Sequence, residues 1–153
     1  MSTTTPIRVV PLAGRAGLAH GRFGPDDAYV EAVWLPVLGP AGFLVWRRLV
    51  RYATGNPGHT TSLEHLAAAV GLGSVRGTQS GVARALRRLE RFGLVRRCDE
   101  GLVVVRCRLA FVSDRQLDRL DPSIRALHDL VHDRAAGSRG EPDGPAPRCV
   151  DRR

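Results

Sequence analysis

Residues 62–109 read SLEHLAAAVGLGSVRGTQSGVARALRRLERFGLVRRCDEGLVVVRCRL, and they contain the clearest structural pattern in the chain. The first part places apolar residues at helical spacing and ends in Gly-Leu-Gly, a sequence that stops helices. A second helical pattern covers residues 79–92 and is followed by another glycine. Two β-rich runs, 94–98 and 102–109, then flank the turn sequence Asp99-Glu100-Gly101. A two-residue turn at Glu100-Gly101 is expected to place Cys98 opposite Val103, so that Cys107 lies four positions further along, about 13 Å away and beyond disulfide reach. The stretch therefore predicts two helices followed by a β-hairpin.

The second of these helices, Gln79–Phe92, has two different faces when its residues are placed at about 100° intervals. Its apolar residues share one face, which we expect to pack on the core: Val82, Ala85, Leu86, Leu89 and Phe92. The opposite face carries Ser80, Arg84, Arg87 and Arg91, with Arg88 at its flank. A helix that is buried on one side and presents hydrogen-bond donors on the other suits the major groove of DNA.

The charge of the chain points to the same partner. The chain has 153 residues and a formal net charge of +8, and all 23 of its basic residues are arginines. Residues 76–108 hold nine arginines and three acidic residues, so most of the net charge lies in this stretch. Guanidinium groups bind phosphates and guanine edges with paired hydrogen bonds, so the excess indicates a polyanionic partner. A basic face that is only solvated is the alternative.

The candidate DNA contacts fall into two sets. The amino-terminal half of a recognition helix reaches the bases, and later arginines meet phosphates. We therefore expect base contacts from Gln79, Ser80, Ala83, Arg84 and Arg87, and phosphate contacts from Arg88 and Arg91. Arg76 is also expected to contact DNA. Arginines on the hairpin are expected to follow the DNA backbone or enter the minor groove: Arg96, Arg97, Arg106 and Arg108. One of them is expected to pair with Asp99 or Glu100 instead.

Outside this region the sequence predicts one folded domain, residues 26–135, between two flexible ends. Residues 1–25 are expected to be a mostly flexible basic arm, and residues 136–153 a disordered tail rich in Gly and Pro. Start and stop signals for further elements are present as well. We expect a helix from Asp26-Asp27 that ends or kinks near Pro36, followed by a helix from Pro40 to Ala53. An edge strand is expected at His59–Thr61, and a helix at 62–70 that is capped by Thr61 or Ser62. C-terminal helices are expected to start at Ser113 and Pro122.

The motifs SLEHLAAAVGLG, GVARALRRLERFGLV and RRCDEGLVVVRCRL resemble the winged helix-turn-helix pattern of small bacterial transcription regulators and phage or plasmid replication initiators. The chain is also similar to winged-helix proteins of high-GC bacteria. The resemblance implies a mainly α fold with a small β-hairpin wing, additional N- and C-terminal helices, and sequence-selective binding of double-stranded DNA. Eleven positions separate Gly71 from Val82, more than a compact helix-turn-helix needs. Residues 74–78 are therefore expected to form an inserted loop.

The sequence does not indicate an enzyme or a cofactor. It has no lysine for a phosphate-binding loop, and its acidic residues are not clustered as in a metal-dependent nuclease. His128 and His132 have the spacing of two metal ligands without a suitable third, so we expect them to pack.

Three cysteines and no signal peptide favour a reducing cytoplasm, near the nucleoid. The apolar stretch 32–46 contains two prolines and is too short to cross a bilayer, so no membrane partner is expected.

The protein partners stay open at this level. Winged helices also serve as protein-interaction adaptors, and the apolar residues of 34–38 or the charge-balanced C-terminal region are surfaces for such a role. A homodimer that reads a two-fold DNA site is the expected assembly, with a monomer on a half-site as the alternative. The expected dimer contacts are Asp26–Leu38, with Trp34 and Leu35, or Pro122–Ala135, with Ile124, Leu127 and Val131.

Overall fold

The computed structural model describes residues 6–12, 21–73 and 80–137. This part of the chain is mainly α-helical with one small sheet, as expected from the sequence. Its elements in chain order are β1 (Pro6–Pro11), a π-helical turn (Val30–Trp34), α1 (Leu35–Gly55), β2 (His59–Ser62), α2 (Leu63–Ala69), α3 (Gly81–Arg91), β3 (Val95–Arg97), a 3₁₀ turn (Asp99–Gly101), β4 (Leu102–Val105), α4 (Asp114–Leu117) and α5 (Pro122–Gly137).

The sheet has the strand order β2-β1-β4-β3, so β1 lies in its interior. β1 runs antiparallel to β2 and parallel to β4. The prediction of a mostly flexible arm is therefore wrong for residues 6–12. Ile7 and Val9 are buried and Arg8 is exposed, an alternation too short to be recognised without the strands on either side. Residues 1–5 and 13–20 of the expected arm lie outside the described residues.

The helical run from the π-helical turn through α1 breaks at a different place from the one predicted. Asp27 caps its start, because its carboxylate accepts a hydrogen bond from the Tyr29 amide at 2.8 Å. Pro36 lies within this run, just after the π-helical turn, and does not end it. The break falls at Gly39, which has φ 74° and ψ 160°, a conformation that glycine adopts without a Cβ penalty. Pro40 then begins the straight part of α1, as expected.

The hairpin differs from its predicted register by one residue. The Cys98 amide donates to the Leu102 carbonyl at 2.8 Å, so three residues form the turn instead of the two at Glu100-Gly101. A Cβ on Gly101 would lie 2.4 Å from the Pro6 carbonyl oxygen. The close approach of β1 therefore selects this turn, and the sequence of the hairpin alone does not contain that information. The pairing places Cys107 one residue further from Cys98 than predicted.

The remaining elements agree with their sequence signals. β2 is an edge strand, as predicted for residues 59–61. Of the two predicted caps for α2, Ser62 is the one used, since its hydroxyl accepts from the His65 amide. Ser113 and Gln116 form the predicted capping box at α4, and α5 begins at Pro122. Residues 138–153, most of the expected tail, are not among the described residues.

Residues Val30–Gly55 form a helical run that is long and apolar enough to count as a candidate membrane span by length and composition. Its most apolar window is 56% buried within the fold, and Trp46 and Leu49 are fully buried. The same run packs against α3 and β1. Core helices of soluble proteins have these properties too, so the run is weak evidence for a membrane span.

Candidate nucleic-acid interface

The buried and exposed faces of α3 agree with those predicted from the helical pattern of the sequence. Val82, Ala85, Leu86 and Leu89 are buried, and Arg84, Arg87, Arg88 and Arg91 are exposed. The helix itself is shorter than the predicted Gln79–Phe92, because Ser80 is its N-cap and Phe92 its C-cap. Gly93 follows with φ 67° and ends the helix as expected. One face of α3 is thus fixed in the core while four guanidinium groups lie on the other.

Ser80, a predicted base contact, is part of the helix cap. It is 8% exposed, and its hydroxyl accepts a hydrogen bond from the Ala83 amide at 3.3 Å. The hydroxyl therefore satisfies one of the amides that a helix start leaves unpaired. Arg76, Gln79 and the expected loop 74–78 lie outside the described residues.

The arginines of α3 differ in what they contact. Arg88 donates to the Val37 carbonyl at 2.7 Å, beside the break in α1, and its guanidinium lies 6.0 Å from the centre of the Phe92 ring. Arg88 thus ties α3 to α1. The guanidinium groups of Arg84 and Arg91 make no hydrogen bond or ion pair with any of the described residues. Arg87 is also exposed on this face.

On the hairpin, Arg97 pairs with an acidic residue other than the two expected. Its Nε and Nη2 donate to the two carboxylate oxygens of Glu90 at 2.7 and 2.8 Å. These hydrogen bonds hold the pKa of Glu90 below its usual value. The pair joins β3 to the end of α3 and occupies the guanidinium of Arg97. Sequence reasoning considered only Asp99 and Glu100 at the turn, whereas Glu90 comes within reach because α3 leads directly into β3.

Arg108 also has a protein partner. Its Nε donates to the Gly21 carbonyl at 3.0 Å and its Nη2 to the Arg22 carbonyl at 2.5 Å. Next to it, Phe23 and Leu109 exchange two backbone hydrogen bonds. A Cβ on Gly21 would lie 2.3 Å from the Arg108 backbone, so the two segments are in close contact. Arg108 therefore holds the segment before the first helix.

The other two arginines of the hairpin, Arg96 and Arg106, line a groove on the protein surface. Arg96 is exposed on the edge strand β3, and Arg106 is half-buried just after β4. Both line a groove of about 360 Å³ together with Leu12 and Val104. The buried Nε of Arg106 has no hydrogen-bond partner within the described ranges. The backbone of Arg106 is fixed, since its carbonyl accepts from Trp46 Nε1 at 2.9 Å.

The segment facing α3 was not recognised from the sequence. Leu38–Gly42, around the break in α1, lines a groove of about 560 Å³ opposite the exposed arginines of α3. The only signal for it is the Gly39-Pro40 pair, which marks a break but does not say what lies beside it. The sequence therefore identified the arginines and missed the concave surface that they border.

His128 packs, as the sequence analysis expected. It is 5% exposed, and its Nδ1 lies 2.7 Å from the Tyr29 hydroxyl. Phe111 contacts the rings of both His128 and His132 edge-on. Within residues 6–12, 21–73 and 80–137, no group of three or more His, Cys, Asp or Glu residues is placed to hold a metal ion.

Comparisons with known proteins found no matching family model, no similar curated protein and no similar solved structure.

Proposed function

We propose that the protein is a winged helix-turn-helix protein that binds double-stranded DNA, reading the major groove with α3, and that it regulates transcription in the bacterial cytoplasm. The observation that carries this proposal is the division of α3 into a buried apolar face and an exposed face of four arginines. Donors on a helix fixed in this way can meet base edges and phosphates together.

The order of elements supports the winged-helix part of the proposal. A long helix, a strand, two helices and a β-hairpin follow one another from α1 to β4. The hairpin begins four residues after α3 ends, and the Glu90–Arg97 pair fixes it to that helix. A hairpin held beside a recognition helix is placed to contact the neighbouring backbone or minor groove.

The contacts of individual arginines refine the set that meets DNA. Arg88, Arg97 and Arg108 bind protein groups, so we assign them to positioning. From their positions alone, we assign base contacts to Arg84 and Arg87, and phosphate contacts to Arg91, Arg96 and Arg106. This division follows the helix geometry, since Arg84 and Arg87 lie in the first two turns of α3.

A protein-interaction adaptor is the second candidate function. It is favoured by one observation, the exposure of Leu127 and Leu130 on α5, at 37% and 48%. Leu127 and Leu130 are three residues apart, so they share one face of α5 and present a joint apolar surface to a partner chain. An adaptor of this kind would use α5 and would not need the arginine face of α3.

The variants Arg84→Ala, Arg87→Ala and Arg91→Ala test the proposal on a duplex selected from a random pool. Arg84→Ala and Arg87→Ala should each weaken specific binding by about 1–3 kcal/mol and relax the base preference at one position. Arg91→Ala should weaken binding to all sequences alike. The matched control is Arg119→Ala, which removes an exposed arginine beyond α4. Equal affinity of all four variants and the parent would refute the proposed interface.

A further inference from the structure

The groove beside α3 is a concave surface, whereas a DNA duplex would contact only the outward face of that helix. Its volume of about 560 Å³ lies within the range of small-ligand sites. One wall is formed by the arginines of α3, and the other by Leu38–Gly42, together with Leu72. A helix that enters the major groove of DNA contacts bases with its outward face. Duplex binding therefore leaves the space between α3 and α1 without an occupant.

Backbone features keep this groove open. Gly39, Gly42 and Gly81 line it without side chains, and the break at Gly39 turns α1 at this point. Because Arg88 binds the Val37 carbonyl, the two walls are also tied to each other. The groove is thus a fixed feature of the α1–α3 packing.

The two walls differ in chemistry. The described lining residues include four arginines and no acidic residue. Arg84 and Arg91 are seven residues apart, which corresponds to about 10 Å along a helix. A row of guanidinium groups over this length matches a chain of linked phosphates better than a single carboxylate. The other wall is apolar and formed by Gly39, Pro40 and Ala41, over the buried Leu38, and it suits the flat face of a base.

We propose that this groove binds a nucleoside di- or triphosphate, with its phosphates along Arg84–Arg91 and its nucleoside against the Gly39–Ala41 wall. The bound nucleotide uses arginines that the proposed function assigns to DNA. The competition that follows rests on the proposed function: because both ligands use the same arginines, nucleotide and duplex compete for one protein molecule. The ligand then regulates DNA binding by occupancy, with no change of fold.

Calorimetric titration of the full chain tests the site without DNA, using ATP, adenosine and inorganic triphosphate as probes. ATP should bind, triphosphate should bind about tenfold more weakly, and adenosine should not bind measurably. Arg84→Ala should weaken ATP binding about tenfold. Ala41→Trp, which fills the apolar wall and removes no charge, should do the same. Arg119→Ala is the control that removes a distant arginine, and melting temperatures verify that each variant is folded.

Equal binding of ATP and triphosphate, together with unchanged ATP binding by Ala41→Trp, would overturn the proposal in favour of general polyanion binding. No binding of ATP would overturn it as well. A second titration, in which ATP displaces a fluorescent duplex, separates this inference from the proposed function. ATP binding by a protein that does not bind duplex supports the site and refutes the DNA function. Duplex binding without ATP binding supports the DNA function and refutes the nucleotide site.

Discussion

At the scale of single residues, the arginines divide into those that hold the fold and those that face outward. Arg88 donates to a backbone carbonyl of its own chain, and Arg97 donates to the Glu90 carboxylate. Arg108 donates to two backbone carbonyls. Arg84 and Arg91 make no such contacts with described residues. The sequence identifies all of them as basic and cannot separate them, because the partners lie on other elements. Removal of an arginine that binds groups of its own chain should therefore reduce stability, while removal of Arg84 or Arg91 should not.

Arg108→Ala tests this division. It removes two hydrogen bonds to the segment before the first helix, and we expect it to lower the free energy of unfolding by about 1 kcal/mol or more. The control is Arg96→Ala on the exposed edge of the hairpin, which should change it by less than about 0.5 kcal/mol. Urea denaturation measures both. Equal destabilisation by the two substitutions would show that the Arg108 contacts do not stabilise the fold.

His128 makes stability depend on pH. The Tyr29 hydroxyl accepts from the Val112 amide, and its oxygen lies 2.7 Å from Nδ1 of His128, so the imidazole is held in a buried hydrogen-bonded site. Burial lowers the pKa of His128 below its usual value of 6.5, and the nearby His132 acts in the same direction. Asp129 and Asp114 act in the opposite direction and are outweighed. The unfolded chain therefore binds the proton more readily than the folded one.

The parent protein should accordingly lose stability as the pH falls below 6.5, while stability above that pH stays constant. His128→Gln should remove this loss, and His65→Gln, at an exposed position, should retain it. Thermal unfolding between pH 7.5 and pH 5 measures the effect. The range stops there because the carboxylate of Glu90, whose pKa is lowered, adds its own loss at lower pH. A parent stability that does not change over this range would contradict the proposed role of His128.

At the scale of elements, the sequence predicted α3 best and β1 worst. The eleven residues of α3 carry a complete helical pattern, so its buried and exposed faces follow from spacing alone. β1 is six residues long, has proline at both ends, and pairs in parallel with a strand more than 90 residues later. Its apolar alternation has no meaning until those partners are known. The turn at Gly101 was mispredicted for the same reason, because β1 packs against it.

The position of β1 inside the sheet can be tested with two substitutions on adjacent residues. Val9 is completely buried, so Val9→Asp places an unpaired carboxylate in the core and should cost roughly 3 kcal/mol or more. Arg8 lies on the exposed face of the same strand, and Arg8→Asp should cost less than about 1 kcal/mol. Chemical denaturation monitored by circular dichroism compares them. If both variants unfolded like the parent, β1 would not be an interior strand.

At the scale of the whole molecule, the structure narrows the surfaces available for a dimer. Trp34 is 6% exposed and donates to the Ala110 carbonyl, so it is not an outward apolar surface as the sequence suggested. Ile124 and Val131 are partly buried against the core of the same chain. Leu127 and Leu130 of α5 remain exposed. Sequence patterns identified the apolar residues of these helices, and only packing shows which of them the fold covers.

We therefore expect a homodimer formed through α5. Sedimentation at micromolar concentration should give twice the chain mass of 16.6 kDa. Leu130→Asp should give the mass of one chain, because it places a charge in the apolar contact. Leu44→Asp, at a similarly exposed leucine on α1, is the control and should leave the dimer intact. A parent that sediments as a single chain, with or without DNA, would remove the support for this assembly.

The central claim is that the exposed arginines of α3 meet the phosphates and bases of a duplex, and the salt dependence of binding tests it most directly. The affinity of the parent for random duplex DNA should fall linearly with salt on logarithmic axes, by about 0.9 for each phosphate neutralised. Arg91→Ala should make that slope shallower by roughly 1, and Arg119→Ala should leave it unchanged. Absence of duplex binding at about 50 mM salt, or an affinity that does not depend on salt, would contradict the account.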